Sequence, residues 1–149
     1  DPVYGFITIP SELIFDLIQH PYVQRMRYIK QLGMTHLVYP GALHTRFHHA
    51  IGAMHLMGMA LETLKNKGHV ISYEEEEAAL IAILLHDIGH GPFSHALEHT
   101  IVEGVSHEYI TSLLIYKLDQ EFDGKLKTAL EIFNKNYHKQ YNRSIAFLS

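Results

Sequence analysis

One stretch constrains this chain more than any other. The apolar run AALIAILL (78–85) passes directly into HDIGHGPFSH (86–95). Eight apolar residues without a polar face call for a buried helix. Gly89, Gly91 and Pro92 then break it. The break leaves His86, Asp87, His90 and His95 within ten residues of one another at the end of a core element. Imidazole and carboxylate together suit a divalent transition metal such as Mn, Fe, Ni, Zn or Co and disfavour Ca. Neighbouring helical residues point about 100° apart, so His86 and Asp87 share an ion only in the seam between their directions. A further ligand then has to come from another helix, and His49 is the candidate. By spacing alone, a buried His–Asp hydrogen bond with an unrelated His49 accounts for these residues equally well.

The rest of the chain reads as mainly helical. Ser11 caps a stripe of Leu13, Ile14, Leu17 and Ile18. Pro21 opens a second helix, PYVQRMRYIKQLG, which Gly33 stops. VYPGALHT (38–45) has turn chemistry. A long helix is expected over 46–67, ended by Gly68. Ser72 and Glu75 form a capping box, with the acids at 74–77 at the favourable end of the helix dipole. This helix runs to about Asp87. Further helices are expected at 93–103, 107–122 and 124–138. YGFITIP (4–10) alternates briefly and is expected as a small β piece. The fold class expected is therefore all-α, one domain over 1–149, with a small N-terminal β piece.

Composition narrows the function. At 149 residues the chain has enough length for one core and hardly for two. With no cysteine, any transition-metal site must use His, Asp and Glu. The thirteen histidines are the one abnormal total, and seven of them (His44, His48, His49, His86, His90, His95 and His107) cluster in three short stretches. A net charge of −4 and scattered Lys and Arg give no broad nucleic-acid footprint. No apolar run approaches the roughly 20 residues of a membrane span, and a cytoplasmic location is the default expectation. Arg46, His90, His95 and His107 are suited to phosphate esters: arginine offers a bidentate fork and histidine an acid or base near neutral pH.

Five stretches carry a resemblance to the HD-domain phosphohydrolases, specifically the deoxynucleoside triphosphate triphosphohydrolases. HDIGHGPFSH resembles their H-D-x-G-H-x-P-F-S-H segment. DPVYGFITIP resembles their opening, HPYVQRMRYIKQLG their Q-R-[LM]-R-x-I-x-Q-L-G stretch, and VYPGALHTRFHHAIGAMHL their P-G-A-x-H-x-R-F-x-H segment. SHEY at Ser106 matches a later [ST]-H-E. The resemblance covers about residues 1–110 and implies an HD-domain helical bundle. It implies His49, His86 and Asp87 as ligands of a divalent metal ion, Mg added to the metals above. His48 stands where the family has other residues and is not assigned to the metal. His90, His95 and His107 are the implied catalytic wall, with His90 an acid or base. Arg46 is implied to clamp a phosphate oxygen, and Gln31 and Leu32 to border the sugar, Gln31 through its 3′-hydroxyl.

The implied reaction cleaves a dNTP to deoxynucleoside and triphosphate. The implied partners are the nucleotide substrate and other copies of the chain, as a dimer or tetramer. Hydrolysis of another nucleotide phosphate ester, and a non-catalytic nucleotide or nucleic-acid binding module using Arg25, Arg27 and Lys30, are the alternatives. Those three residues also read as a solvated basic helix face. Two departures stand out. The family's fourth ligand, an aspartate within a D-x-D-[KR]-x-D-Y-like segment, has no counterpart, so the HD domain is expected to be truncated before it. Gln24 and Arg27 match the family's regulatory guanine-nucleotide site, but Gln19 replaces its acidic residue, which leaves activation by GTP open.

Overall fold

The computed structural model describes residues 3–92 and 106–141. The architecture follows from the helix without a polar face. Four-residue spacing cannot give that helix an outer side, so it has to be central. Helix α4 (Tyr73–Leu85) is indeed central, with Ala78, Leu80, Ile81, Ala82, Leu84 and Leu85 buried. The long helix α3 (Arg46–Asn66) lies along one side of it. Helix α6 (Lys127–Tyr141) packs on another side, and α5 (His107–Glu121) packs on α6. Two shorter helices, α1 (Glu12–Gln19) and α2 (Pro21–Gln24), precede them. Ile14, Leu17, Met26, Ile81, Leu84, Leu85, Ile88, Ile115 and Leu118 are fully enclosed in one continuous core.

The helix ends follow the capping chemistry. Ser11 Oγ accepts from Ile14 N at 3.2 Å. Ser72 and Glu75 form a reciprocal box, with Glu75 N to Ser72 Oγ at 3.2 Å and Ser72 N to Glu75 Oε2 at 2.9 Å. Gly68 takes φ +90° just beyond α3, a left-handed conformation that glycine adopts without a Cβ penalty. At the far end of α5, Asp119 Oδ1 accepts from Leu126 N at 2.7 Å. Asp119 thereby closes the turn into α6.

Two expectations need correcting. The helix from Pro21 stops at Gln24, followed by a 3-10 turn at Arg25–Tyr28 and extended backbone at Ile29. The reason is tertiary. Arg46 N donates to Ile29 O at 2.9 Å and Gln31 N to His44 O at 3.0 Å, which pulls residues 29–31 out of the helix to pair with 44–46. The N-terminal β piece is also absent: no named strand occurs among the described residues, only an isolated bridge between Lys30 and Thr45. Instead of pairing, the opening segment lays Tyr4 over Gly52 and beside the His55 ring, 5.3 Å between centroids. The helix expected at 93–103 lies outside the described residues. No described helix is long and apolar enough to cross a membrane.

Candidate metal centre

The centre forms where the end of α4 meets the start of α3 and the start of α5. His86 is the C-cap of α4. Beyond it the chain turns tightly, with Ile88 N donating to Leu85 O at 3.0 Å and His90 N to Asp87 O at 3.2 Å. His49 sits in the first turn of α3. Its Nε2 lies 3.2 Å from His86 Nε2 and 3.8 Å from Asp87 Oδ2, and His86 Nε2 lies 3.4 Å from Asp87 Oδ1. One donor atom from each of the three residues falls within 4.8 Å of the other two.

The donor set fits a divalent cation on its own chemistry. His86 Nδ1 is 2.6 Å from Ile83 O. A carbonyl only accepts, so Nδ1 carries the proton and Nε2 presents its lone pair to the site, the arrangement seen behind metal-bound histidines. Burial, then the neighbouring His86, pushes His49 below its ordinary value against the opposing pull of Asp87. That shift favours the neutral imidazole, the form a metal ion would require of His49. Burial alone would raise the Asp87 carboxyl. His86, Arg46, His90 and His49 outweigh it and hold the group below the usual carboxylate range.

Arg46 supplies much of that field. It is only 2% exposed, and its guanidinium donates to Asp87 Oδ2. The pair links residues 41 apart in sequence. On the opposite side, Asp87 Oδ1 lies 3.6 Å from His90 Nε2. His90 is 3% exposed and stacks on His107, with centroids 3.9 Å apart and planes inclined by 21°. His107 Nε2 lies 3.2 Å from Glu108 Oε1. Six of the residues singled out in the sequence thus share one cluster: Arg46, His49, His86, Asp87, His90 and His107.

A model of the HD domain matches residues 46–142. This chain belongs to the HD-domain family. Among relatives of this HD domain, the deoxynucleoside triphosphate triphosphohydrolase SAMHD1 of Gallus gallus is 43% identical over 100 residues, 66% of this chain and 16% of that protein. The uncharacterized protein YwfO of Bacillus subtilis is 40% identical over 115 residues, 77% of this chain and 26% of that one. The crystal structure of a phosphohydrolase from Bacteroides thetaiotaomicron superposes with a TM-score of 0.87 at 54% identity, covering 90% of this chain and 34% of that chain. This HD domain spans well under half the length of each of these relatives.

The remaining sequence candidates divide. Gln31 is tied to the start of α3 by the 29–31/44–46 pairing, and its Oε1 is buried without a hydrogen-bond partner. Leu32 is half exposed. His95 lies outside the described residues. His48 closes the α3 capping box, its Nδ1 accepting from Thr45 N at 3.2 Å. The basic residues of the second helical segment are not a solvated face as a group. Arg25 is half-buried and donates to Ile88 O at 2.6 Å, and Lys30 Nζ donates to Leu43 O at 3.2 Å. Arg27 lies 3.7 Å over the Phe47 ring.

Sequence reasoning missed two features of this HD domain. Thr111 is fully buried against the turn after α4. Gly89 lies so close to α5 that a Cβ there would meet His107 O at 2.2 Å and Thr111 N at 2.5 Å. No pattern within the sequence marks Thr111. Gly89 was visible only as a helix breaker.

Proposed function

We propose that this chain is the catalytic core of a metal-dependent phosphohydrolase acting on nucleotides, with dNTP cleavage to deoxynucleoside and triphosphate as its reaction. The observation that carries the reading is the convergence of His49, His86 and Asp87 beside the buried His90 and the partly buried His107 stacked on it. The three ligand residues would hold the divalent ion, one of Mn, Fe, Ni, Zn, Co or Mg, as His and carboxylate sets fit several metals. The chemistry supplied by a bound cation of this kind is Lewis-acid polarisation of a phosphoryl oxygen.

The protein's own groups do the rest. Water adds to the α-phosphorus, the bond from that phosphorus to the 5′-oxygen breaks, and the departing oxygen takes a proton. In this reading His90 takes the acid or base role for that transfer, with His107 stacked on it; His95, the third histidine of the proposed catalytic set, lies outside the described residues. Arg46 orients Asp87. A guanidinium carries five donors, so holding Asp87 is compatible with clamping a phosphate oxygen. The orphaned Gln31 Oε1 suits a 3′-hydroxyl donor, with Leu32 alongside the sugar. Exposed Tyr28, Leu37, Val38 and Tyr39 offer apolar surface for a homo-oligomer, a dimer or tetramer. We propose the cytoplasm as the compartment in which it meets that nucleotide substrate.

The test is product analysis with dNTPs and Mn(II). The expected products are deoxynucleoside and intact triphosphate, with His90→Ala lowering kcat by roughly 10²–10⁴-fold. Orthophosphate in place of triphosphate would move the substrate to another nucleotide ester. Nucleotide binding without turnover would leave a binding module.

A further inference from the structure

The turn that carries Asp87 has few bonds of its own, and side chains from two other elements supply the missing ones. Thr111, on α5, is the first. It is fully buried, accepts from Gly89 N at 3.0 Å and donates to His86 O at 3.3 Å. A single hydroxyl therefore spans the turn from the residue before Asp87 to the second residue after it. Arg25, from the 3-10 turn at Arg25–Tyr28, is the second, donating to Ile88 O at 2.6 Å. These three hydrogen bonds all end on backbone atoms between His86 and Gly89.

We infer that Thr111 and Arg25 are positioning residues, which fix the backbone of the 86–90 turn so that the His86 and Asp87 donors converge on His49. The inference rests on the reading of His49, His86 and Asp87 as metal ligands. The physical reason is geometric. His86 and Asp87 are adjacent, and adjacent helical residues diverge by about 100°. They reach one ion only if the turn holds a particular local backbone. His86 O and Gly89 N are the peptide groups whose rotation would swing the two side chains apart. Buried hydrogen-bonding groups are rarely left unpaired, so the hydroxyl at Thr111 sets that rotation. Outer partners of this kind typically change metal affinity by roughly 10–100-fold when removed.

The experiment titrates Mn(II), and Co(II) as a spectroscopic probe, into the purified full-length protein and into Thr111→Val, Thr111→Ser and Arg25→Lys variants, with circular dichroism as the check on folding. Thr111→Val keeps the volume and removes the hydroxyl. It is expected to bind metal roughly 10–100-fold more weakly and to shift the Co(II) d–d absorption bands. Thr111→Ser is expected to restore both affinity and spectrum, because the hydroxyl returns without the methyl. Arg25→Lys is expected to fall between, since a single ammonium replaces the guanidinium on Ile88 O. A folded Thr111→Val protein with wild-type affinity and Co(II) spectrum overturns the inference while leaving the ligand assignment intact. If Thr111→Val loses its fold, Thr111→Ser decides: weakened metal binding in it points to packing of the methyl and overturns the inference. A wild-type protein that takes up neither metal overturns the ligand assignment itself and the positioning role with it.

Discussion

Replacing Asp87 by alanine is expected to remove the proposed metal binding and hydrolysis and to lower the stability of the metal-free protein by about 3–5 kcal/mol. The second effect comes from Arg46. Its guanidinium is 2% exposed and donates to Asp87, which is itself only 8% exposed. Alanine takes the carboxylate from that buried cation, and removing one side of a buried pair is strongly destabilising. Asp87→Asn separates the two effects. The amide oxygen still accepts from Arg46, so most of the stability returns, while the anionic ligand is gone and metal affinity stays lost. The pH dependence follows with a definite sign. The Asp87 carboxyl is held below its ordinary range in the folded chain. Its contribution is therefore fully present above the unfolded carboxylate value and is lost as pH falls through the folded one. Urea unfolding of wild type and Asp87→Asn across the acid range checks this: the variant has the shallower acid limb. An Asp87→Ala protein as stable as wild type contradicts the Arg46–Asp87 pairing.

The second large effect is at Gly89. A Cβ there would sit 2.2 Å from His107 O, 2.5 Å from Thr111 N and 2.6 Å from Thr111 Oγ1. Two of these are backbone atoms of α5 and cannot rotate away. Gly89→Ala therefore pushes the start of α5 off the turn. It breaks the Thr111 hydrogen bonds and separates His107 from His90. Overpacking of this kind costs about 1–3 kcal/mol, and more where backbone must move. The expected result is a clear drop in Tm together with loss of hydrolysis, although glycine touches no ligand itself. A Gly89→Ala protein with wild-type Tm and activity contradicts the close approach of α5.

The sequence held these features unevenly. Helices α3 and α4 were legible because their ends are local chemistry: a capping box at Ser72 and Glu75, a left-handed glycine at Gly68, and an apolar run that only a central helix can bury. The second helix was over-extended because Ile29 and Gln31 pair with residues about fifteen positions away, and periodicity carries no information about that. The alternation in YGFITIP suggested a strand, but a strand needs a partner edge, and the segment packs Tyr4 on α3 instead. At the site, His49, His86 and Asp87 were reachable through the motifs that surround them, whereas spacing alone left an ordinary His–Asp hydrogen bond equally good. The Arg46–Asp87 pair and the Thr111 brace join elements distant in sequence. Arg25 looked like one of three surface cations until its partner, a backbone carbonyl 63 residues on, was in view.

The assignment of His49, His86 and Asp87 to one divalent ion stands or falls on a metal titration of wild type beside His86→Ala. His86 is the right position because, although its ring lies 3.4 Å from Asp87 Oδ1 as well as against Ile83 O and His49, the buried Asp87 keeps its Arg46 partner in the alanine variant. Wild type is expected to bind a single equivalent of Mn(II), and a His86→Ala protein that keeps its helical circular dichroism is expected to bind none. A folded His86→Ala protein with full metal stoichiometry, or a wild type that binds none, would contradict the assignment.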